Sequence, residues 1–537
     1  MPTVNHPVRD FRSGSAEAKS IQTAIAAIRS DGPTFRPVIG GKHLDGGDPV
    51  SIIEPHARSS RLGEYRPASA GDGIAAADAA MEARNQWARL TLDERAFYFA
   101  RAADLLEGAF GDRLLAATML GQSKTVYQAE IDAICELIDF LRFNIDFAQQ
   151  ISEWQPVSDA YESNRMDYRP LDGFVLAAAP FNFTAIAGNL VIAPALMGNP
   201  VVWMPSNRSV YSSALLMELF EEAGIPPGVI NFCPTDDPAV FASVVLNHAD
   251  LAGIHFTGSS ATFDHIWQTV GRNVSTYKAY PRLVGETGGK DFVLAHPSAD
   301  IEILVTALLR GAFDYQGQKC SAASRAYIPR SIYTEVCDRL VAEANGLTLG
   351  DVADPANFMG AVIDERAYRS ISRYLNVAAG GPDTTVLTDR QPDESEGWFI
   401  PPTVIECSDP KAPIMTEEIF GPVLSLFCYD DDSIEYTCHL IEESTRYALT
   451  GAIVGEDEVA VEALCDRLRW SVGNLYLNDK PSGAVVGRQP FGGSRRSGTN
   501  DKAGSPLNLF RWISPRTVKR NLQPPRQHTY PHMSSES

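Results

Sequence analysis

The sequence predicts an α/β protein built on doubly wound parallel sheets, and three observations carry this prediction. Short runs rich in branched residues alternate with helical segments from Phe174 onward, and the alternation starts again near Phe292. The third is length: 537 residues suffice for about two to four domains, each with its own core. Hydrophobic residues at 44% and charged residues at 21% match a soluble globular chain, and no apolar stretch reaches a membrane span.

Taken in order, residues 1 to 75 read as a wrap, with a short helix near Ala16–Arg29 followed by loops and short strands around Gly40, Gly41, Gly46 and Gly47. From Asp72 to Trp154 the apolar spacing turns helical, in AAADAAMEARNQWARL and again in EIDAICELIDFLRFNIDFAQQI. On the second helix a 3.6-residue period puts Glu130 on the face of Ile134, Leu137 and Leu141. It is read either as a group that meets a ligand or as a buried carboxylate paired with a nearby Arg or Lys. GFVLAAA, PVVWM, VINFC and AGIHF then read as strands between the helices AIAGNLVIAPALM and SSALLMELFEEAG. In the second region FVLAH, AYIP, SLFCY and GAIVG are strands, with ADIEILVTALLRGAFD, YTEVCDRLVAEANG and EVAVEALCDRLRW as helices. The last residues, 525–537, are polar and expected to fray.

Charge and composition exclude several functions. Asp and Glu number 67 against 46 Lys and Arg, and the net charge of −21 repels nucleic acid and anionic lipid, so neither is an expected partner. Eight scattered cysteines without a CxxC pair suit a reducing compartment, and the first thirty residues show neither a secretory signal nor an Arg-rich transit pattern. A cytoplasmic protein is expected, or one of the mitochondrial matrix in a eukaryotic cell. No HExxH occurs, and the only close histidine pair, His528 and His532, lies in the polar tail, so no catalytic metal is expected.

Chemistry concentrates in three segments. GQKCSAASR places Cys320 after a helix and among small residues that leave a thiol accessible, although a lone cysteine is commonly a small buried hydrophobe. GETGGKDF sets Glu286 beside Gly288 and Gly289, which let a ligand approach the backbone, and AAAPFNFTAIAG puts Asn182 in a strand-to-helix loop. Singly these would be a surface charge and a turn asparagine.

Together PFNF, FTGS, GETGGK, GQKC and EEIFGP, each present once and in this order, resemble the aldehyde dehydrogenase superfamily from about Phe11 to Arg520. SKTVYQAEID, FTGSSATFDHIW, YPRLVGETGGKDF, DPKAPIMTEEIFGPVL and LNDKPSGAVVGRQPFGGSRRSGTNDKAG resemble its Δ1-pyrroline-5-carboxylate (L-glutamate γ-semialdehyde) dehydrogenase branch. The resemblance implies a Rossmann-like NAD-binding domain over residues 1–157 and 173–288 and an α/β catalytic domain over 289–494. It also implies a bridging and oligomerisation segment over 158–172 and 495–524, with a hairpin near Ser158–Asp172, and hence a homodimer or larger homo-oligomer. Functional coupling to a proline dehydrogenase, on a separate chain, follows from the same branch.

By the resemblance Cys320 is the nucleophile, the Asn182 amide and the Cys320 N–H hold the oxyanion, and Glu286 is the base that hydrolyses the thioester. Gly258 and Ser259, at a helix N-terminus, would offer free N–H groups to the NAD pyrophosphate. Glu418 would hold the nicotinamide ribose, with Phe420 packing nearby and Ser206 also on the cofactor. Phe263 stands where the wider superfamily has a glycine, in agreement with the branch. One departure concerns the adenosine ribose: the superfamily's Lys and acid are replaced by Met204 and Asn207, and since these changes oppose each other toward a 2′-phosphate, NAD remains the expected cofactor, more weakly bound. For the substrate, the N–H groups of Gly483 and Ala484 with the Ser321 hydroxyl would take an α-carboxylate, Phe183 and Phe491 would sandwich the aliphatic chain, and Glu130 would face the ammonium unless it is paired internally. The activity implied is NAD-dependent oxidation of glutamate γ-semialdehyde to glutamate in proline breakdown. The rivals are another semialdehyde or amino-acid-derived aldehyde, a thiol hydrolase built on Cys320, and a non-catalytic scaffold.

Overall fold

The computed structural model describes residues 3–533. Its first large sheet has seven strands, and five of them are parallel, in the spatial order Arg282–Glu286, Leu251–Thr257, Phe174–Ala178, Val201–Met204 and Ile230–Phe232. A short antiparallel pair, Val38–Ile39 and Lys42–His43, closes the far edge. Strand Phe174–Ala178 lies between the strand that follows it in sequence and the strand Leu251–Thr257, so the direction of winding reverses beside it. Such a reversal opens a crevice at the carboxyl ends of the two strands. The helix Thr184–Leu196 leaves that crevice with nearly every side chain buried, so it is apolar all round and sits between the sheet and outer helices. Residues such as Leu190, Val191 and Ile192 each stabilise by roughly 1.5–3 kcal/mol on burial.

The second seven-stranded sheet is parallel from Thr403–Cys407 through Val423–Tyr429, Ala323–Pro329, Asp291–Ala295 and Thr450–Val454 to Asn474–Leu477, with Thr384–Val386 antiparallel at one edge. Only Thr287–Lys290 separates the last strand of the first sheet from Asp291–Ala295 of the second. The chain therefore passes from one sheet to the other within the GETGGK segment, which brings Glu286 to the seam. The runs read as strands from Phe174 onward are all strands, and the N-terminal helix extends to Ala16–Asp31.

The segment near Ser158–Asp172 differs from the expected hairpin. It forms one strand, Glu162–Asp167, whose ladder partner is the distant Arg516–Asn521. Its other side is held by side chains instead of a ladder: Met166 N–H donates to Gln155 Oε1 (2.8 Å) and Asn164 N–H to Ser158 Oγ (2.8 Å). Residues 525–533 are exposed, with one short helical turn at Pro531–Met533. Of the stretches assigned from sequence, residues 534–537 of the tail and residues 1–2 lie outside the described residues.

Candidate active site

Asn182 and Phe183 occupy the loop at the carboxyl end of Phe174–Ala178, just before the helix Thr184–Leu196. No side chain at the cap position satisfies the first N–H groups of this helix. Asp132 does so from another helix, accepting from Thr184 N–H and Ala185 N–H, each at 2.9 Å. Asp132 also pairs with Lys124 at 2.6 Å, both side chains being 1% exposed. The Lys124 ammonium lies 4.2 Å from the Phe183 ring centroid and 4.5 Å from that of Tyr315, a cation between two aromatic faces. Burial depresses the Lys124 ammonium, and the Asp132 charge opposes that shift.

Cys320 follows a sharp turn after the helix Ile301–Phe313. Tyr315 and Gln316 have φ of 53° and 55°, a left-handed conformation that costs a non-glycine residue roughly 1–2 kcal/mol. Side-chain bonds offset it: Gln316 donates to the carbonyls of Ser123 (2.9 Å) and Ala361 (2.7 Å) and accepts from Gly360 N–H (3.1 Å). Gly317 continues the turn at φ 65°, where a Cβ would stand 2.2 Å from the Gly421 carbonyl oxygen. The Asn182 amide, itself buried, donates to the Gln318 carbonyl at 3.0 Å and so joins the two loops. Cys320 is free and half-buried as a residue, with its thiol turned inward. Burial pushes it up, and the charges of Asp291, Glu418 and Glu286 push the same way.

Glu286 ends its strand and bridges to Gly498. Its Oε2 accepts from Gly493 N–H at 3.2 Å, but burial outweighs this bond and holds the carboxyl well above the usual range. The Glu418 carboxylate folds onto the adjoining glycines, accepting from Gly289 N–H at 2.9 Å. Burial lifts it to about 7. A Cβ on Gly288 would lie 2.2 Å from Glu418 Oε2, so the glycine is needed for this approach. Phe420, at φ 59°, meets the Phe181 ring edge-on at 5.9 Å.

The FTGS segment needs a correction. Gly258 N–H is not free, because it donates to the Glu286 carbonyl at 3.1 Å. Gly258 is required on steric grounds instead, since a Cβ there would stand 2.7 Å from Phe256 Cζ. Ser259 caps the helix Ser260–Arg272 through Thr262 N–H at 3.1 Å, which leaves the N–H groups of Ser260 and Ala261 as the orphan donors of this terminus. Phe263 fills the space above Gly285 and stacks on Phe256 at 5.4 Å. Ser206 accepts from Arg208 N–H (3.3 Å), and Asn207 accepts from the Arg208 guanidinium (3.0 Å), which also pairs with Asp364. Met204 is half-buried against the core beneath the sheet.

Among the substrate residues, Ser321 is buried beside Cys320, Phe183 and Phe491 are half-buried, and Phe491 is fixed by an antiparallel bridge to Ala503. Gly483 is exposed at φ 94°, and Ala484 is half-buried. Glu130 does not face an amine-binding space: it is fully buried in a bidentate pair with Arg9, at 2.9 and 2.8 Å. Of its two sequence readings the second holds, a buried carboxylate paired with a nearby Arg, and Glu130 is buried together with Ile134, Leu137 and Leu141 as the period places it, although Glu130–Glu136 is a π-helix. The carboxylate beside Lys124 and Asp132 is Glu136, which burial and the Asp132 charge lift to about 8 against the opposing pull of Lys124. Sequence reading also missed Lys124 and Asp132. Both lie in the SKTVYQAEID stretch quoted for the resemblance, but their eight-residue separation does not show that they pair.

A search against known proteins places these features in a family. The sequence model of the aldehyde dehydrogenase family matches residues 44–518. The mitochondrial delta-1-pyrroline-5-carboxylate dehydrogenase of Dictyostelium discoideum is 45% identical, covering 99% of this chain and 96% of that protein. The crystal structure of the delta-pyrroline-5-carboxylate dehydrogenase from Mycobacterium tuberculosis bound with NAD is 52% identical with a TM-score of 0.96, covering 100% of this chain and 99% of that one. Proline utilization A from Bdellovibrio bacteriovorus is 30% identical with a TM-score of 0.92, covering 97% of this chain but 53% of that longer one. With a cysteine, an asparagine amide and a buried glutamate gathered at the seam of two doubly wound sheets, and with the family model matching most of its length, the chain belongs to the aldehyde dehydrogenase family.

Proposed function

We propose that this chain oxidises L-glutamate γ-semialdehyde, the open form of Δ1-pyrroline-5-carboxylate, to L-glutamate with NAD, in the breakdown of proline. The bond between Asn182 and the Gln318 carbonyl carries this reading, because it sets an amide donor against the loop of the one thiol that lies among Glu286, Glu418 and Asp291. The names of the relatives in Dictyostelium and Mycobacterium supply the substrate.

In this reading the Cys320 thiolate adds to the aldehyde carbon. The Asn182 amide has two hydrogens; one stays on Gln318 and the other, with Cys320 N–H, meets the developing oxyanion. Bound NAD supplies the acceptor for the hydride that leaves the adduct carbon, and Cys320 then carries a thioester. Glu286, once ionised, takes a proton from water, the hydroxide oxygen adds to the thioester carbon, the Cys320 sulfur departs as thiolate, and the carboxylic acid so formed loses its proton to become the product carboxylate. The cofactor fits the residues present. The helix beginning at Ser260 presents orphan N–H groups for a pyrophosphate, and Glu418, folded over Gly288 and Gly289, offers a carboxylate to ribose hydroxyls. Phe420 packs at that end, and Ser206 lies at the end of the adjoining strand.

Gly483 and Ala484 offer their N–H groups, with the Ser321 hydroxyl, to the substrate α-carboxylate, while Phe183 and Phe491 enclose its methylenes. Glu136, replacing Glu130 in this role, accepts from the ammonium. In the two-stranded sheet of Glu162–Asp167 with Arg516–Asn521 the second strand is largely exposed along its free edge, which supports a homodimer or larger assembly. Among the described residues no helix is long and apolar enough to cross a membrane. The reading places the enzyme in the cytosol, or in the mitochondrial matrix of a eukaryotic cell, functionally coupled to a proline dehydrogenase.

Initial rates of NADH formation test this, with wild type and Cys320→Ala, on Δ1-pyrroline-5-carboxylate, succinate semialdehyde and propanal, each with NAD and NADP. Preference for Δ1-pyrroline-5-carboxylate with NAD, abolished in the variant, is expected. Turnover only of another aldehyde would overturn the substrate, and ester hydrolysis without any reduction would overturn the redox reading.

A further inference from the structure

The loop that holds Gly483 and Ala484 is tied down by a segment far away in sequence. Asn5 and His6 meet the helix Leu137–Glu153 at Asp139, and the Asn5 side chain bridges helix and loop. The Asn5 amide donates to Asp139 Oδ2 and to the Val486 carbonyl, both at 2.8 Å, and its Oδ1 accepts from Arg488 Nε at 2.7 Å. His6 N–H fixes the same carboxylate through Asp139 Oδ1 at 2.7 Å. Asn5 thus spends both amide hydrogens and its oxygen between the helix and the segment Val486–Arg488. Arg9 anchors the arm further along by its pairs with Glu130 and Asp112.

The loop needs such a tie. Gly483 and Gly487 have φ of 94° and 78°, and four successive positions from Gly487 to Pro490 are exposed or half-buried. Its own restraints are local: Val485 N–H to Gln489 Oε1 (3.0 Å), Arg488 N–H and Gln489 N–H to the Val485 carbonyl (each 3.0 Å), Gly487 N–H to the Gly504 carbonyl (3.2 Å), the buried Val486, and Gly487 seated so closely on Phe143 that a Cβ would stand 2.5 Å from the ring. Two backbone donors bind a carboxylate well only when the loop is held in that geometry before the ligand arrives.

We propose that Asn5 is a positioning residue for amino-acid substrates, holding the Gly483–Ala484 loop in its carboxylate-binding form. The inference rests on the reading that this loop binds the α-carboxylate. Aldehydes without a carboxylate do not use the loop and are indifferent to the tie.

The test compares Asn5→Ala and Arg488→Ala with wild type on Δ1-pyrroline-5-carboxylate and on propanal, with NAD dissociation and thermal unfolding measured alongside. Loss of bonds of this kind predicts a rise in KM for Δ1-pyrroline-5-carboxylate of about 3- to 30-fold. The kcat, the kinetics with propanal and NAD binding stay unchanged. Asn5→Gln, which keeps the donors and acceptor at longer reach, recovers part of the loss. An equal loss on both aldehydes, or in NAD binding, would mean a general structural role and overturn the proposal. Ala484→Pro, which removes one donor, separates the two readings. If it raises KM for Δ1-pyrroline-5-carboxylate while Asn5→Ala does not, the tie is wrong and the carboxylate loop stands. If neither raises it, both are wrong.

Discussion

The Asn182 side chain lies 3.0 Å from the Gln318 carbonyl oxygen, two residues before Cys320. One loop comes from the first sheet and the other from the second, so this contact sets the amide proposed as oxyanion donor against the loop of the proposed nucleophile across the seam. Asn182→Ala removes the donor and the latch together. A fall in kcat of about 10²- to 10³-fold is expected, read as the rate of the first NADH turnover. Unchanged burst kinetics would remove Asn182 from the chemistry.

Glu286 and Cys320 are both pushed up, chiefly by burial. In the proposed mechanism each works in its deprotonated form, so activity is expected to climb as pH rises above neutrality and to fall on acidification. In Glu286→Gln the thiol still adds to the aldehyde but the thioester persists. About one NADH per site should appear as a burst, with steady turnover lost. A variant that turns over at the wild-type rate would assign the water-activating step elsewhere.

Lys124 and Asp132 form an ion pair closed off from solvent. Lys124→Met leaves an unpaired buried carboxylate, a loss of about 3–5 kcal/mol. Because Asp132 also caps the Thr184 helix, the loop with Asn182 and Phe183 loosens as well. Urea unfolding should show that Lys124→Met combined with Asp132→Asn is less unstable than Lys124→Met alone. Additive losses would mean the two residues act independently.

Met204 ends its strand half-buried, where the superfamily carries a lysine toward the adenosine ribose, and Asn207 is already engaged by Arg208. Met204→Lys restores a charged donor. The NAD dissociation constant should fall by about tenfold, measured by fluorescence titration, and no change would mean that the missing contact is unimportant here.

The residues legible in the sequence share a physical reason. Gly258 follows the branched strand Leu251–Thr257 and Asn182 lies in the loop after Phe174–Ala178, so finding the strand finds the loop at its carboxyl end, whereas Glu286 is the last residue of its own strand and is legible through Gly288 and Gly289 beside it. Cys320 follows a helix and a turn whose glycine is forced by contact with Gly421. The misread positions depend on geometry that spacing does not carry. Glu130 takes the internal pair with an Arg that the sequence left open as its second reading, and the seven residues of π-helix after Ala129 bring Glu136, which the sequence did not single out, beside Lys124. The Gly258 N–H is spent on the neighbouring strand, because the two strand ends lie side by side. Asn5 is almost at the chain start, and nothing in its surroundings in sequence points to a loop some 480 residues on.

Away from the site, Glu54, His56 and Asp351 bring three groups with metal-ligating atoms within 4.8 Å. Arg29 already pairs with both carboxylates at 2.7 and 2.9 Å, so the cluster balances its charge without an ion. It ties the N-terminal strands to the Asp351 loop of the second half. Burial would lower His56 below its ordinary 6.5, but hydrogen bonds to Asp351 and Glu54 outweigh it and raise the imidazole. Burial likewise opposes ionisation of Glu54, yet bonds from His56, Arg29 and Ser60 bring it down to about 2. A raised histidine contributes stability in full below about 6.5 and loses it as pH climbs through the folded value, whereas a lowered carboxylate contributes above about 4.5 and loses it as pH falls toward 2. The cluster therefore stabilises most between about pH 4.5 and 6.5. In that window His56→Gln should melt below wild type, and the gap should narrow as the medium is made alkaline. A gap that is constant with pH would mean that His56 acts by packing and not by its charge.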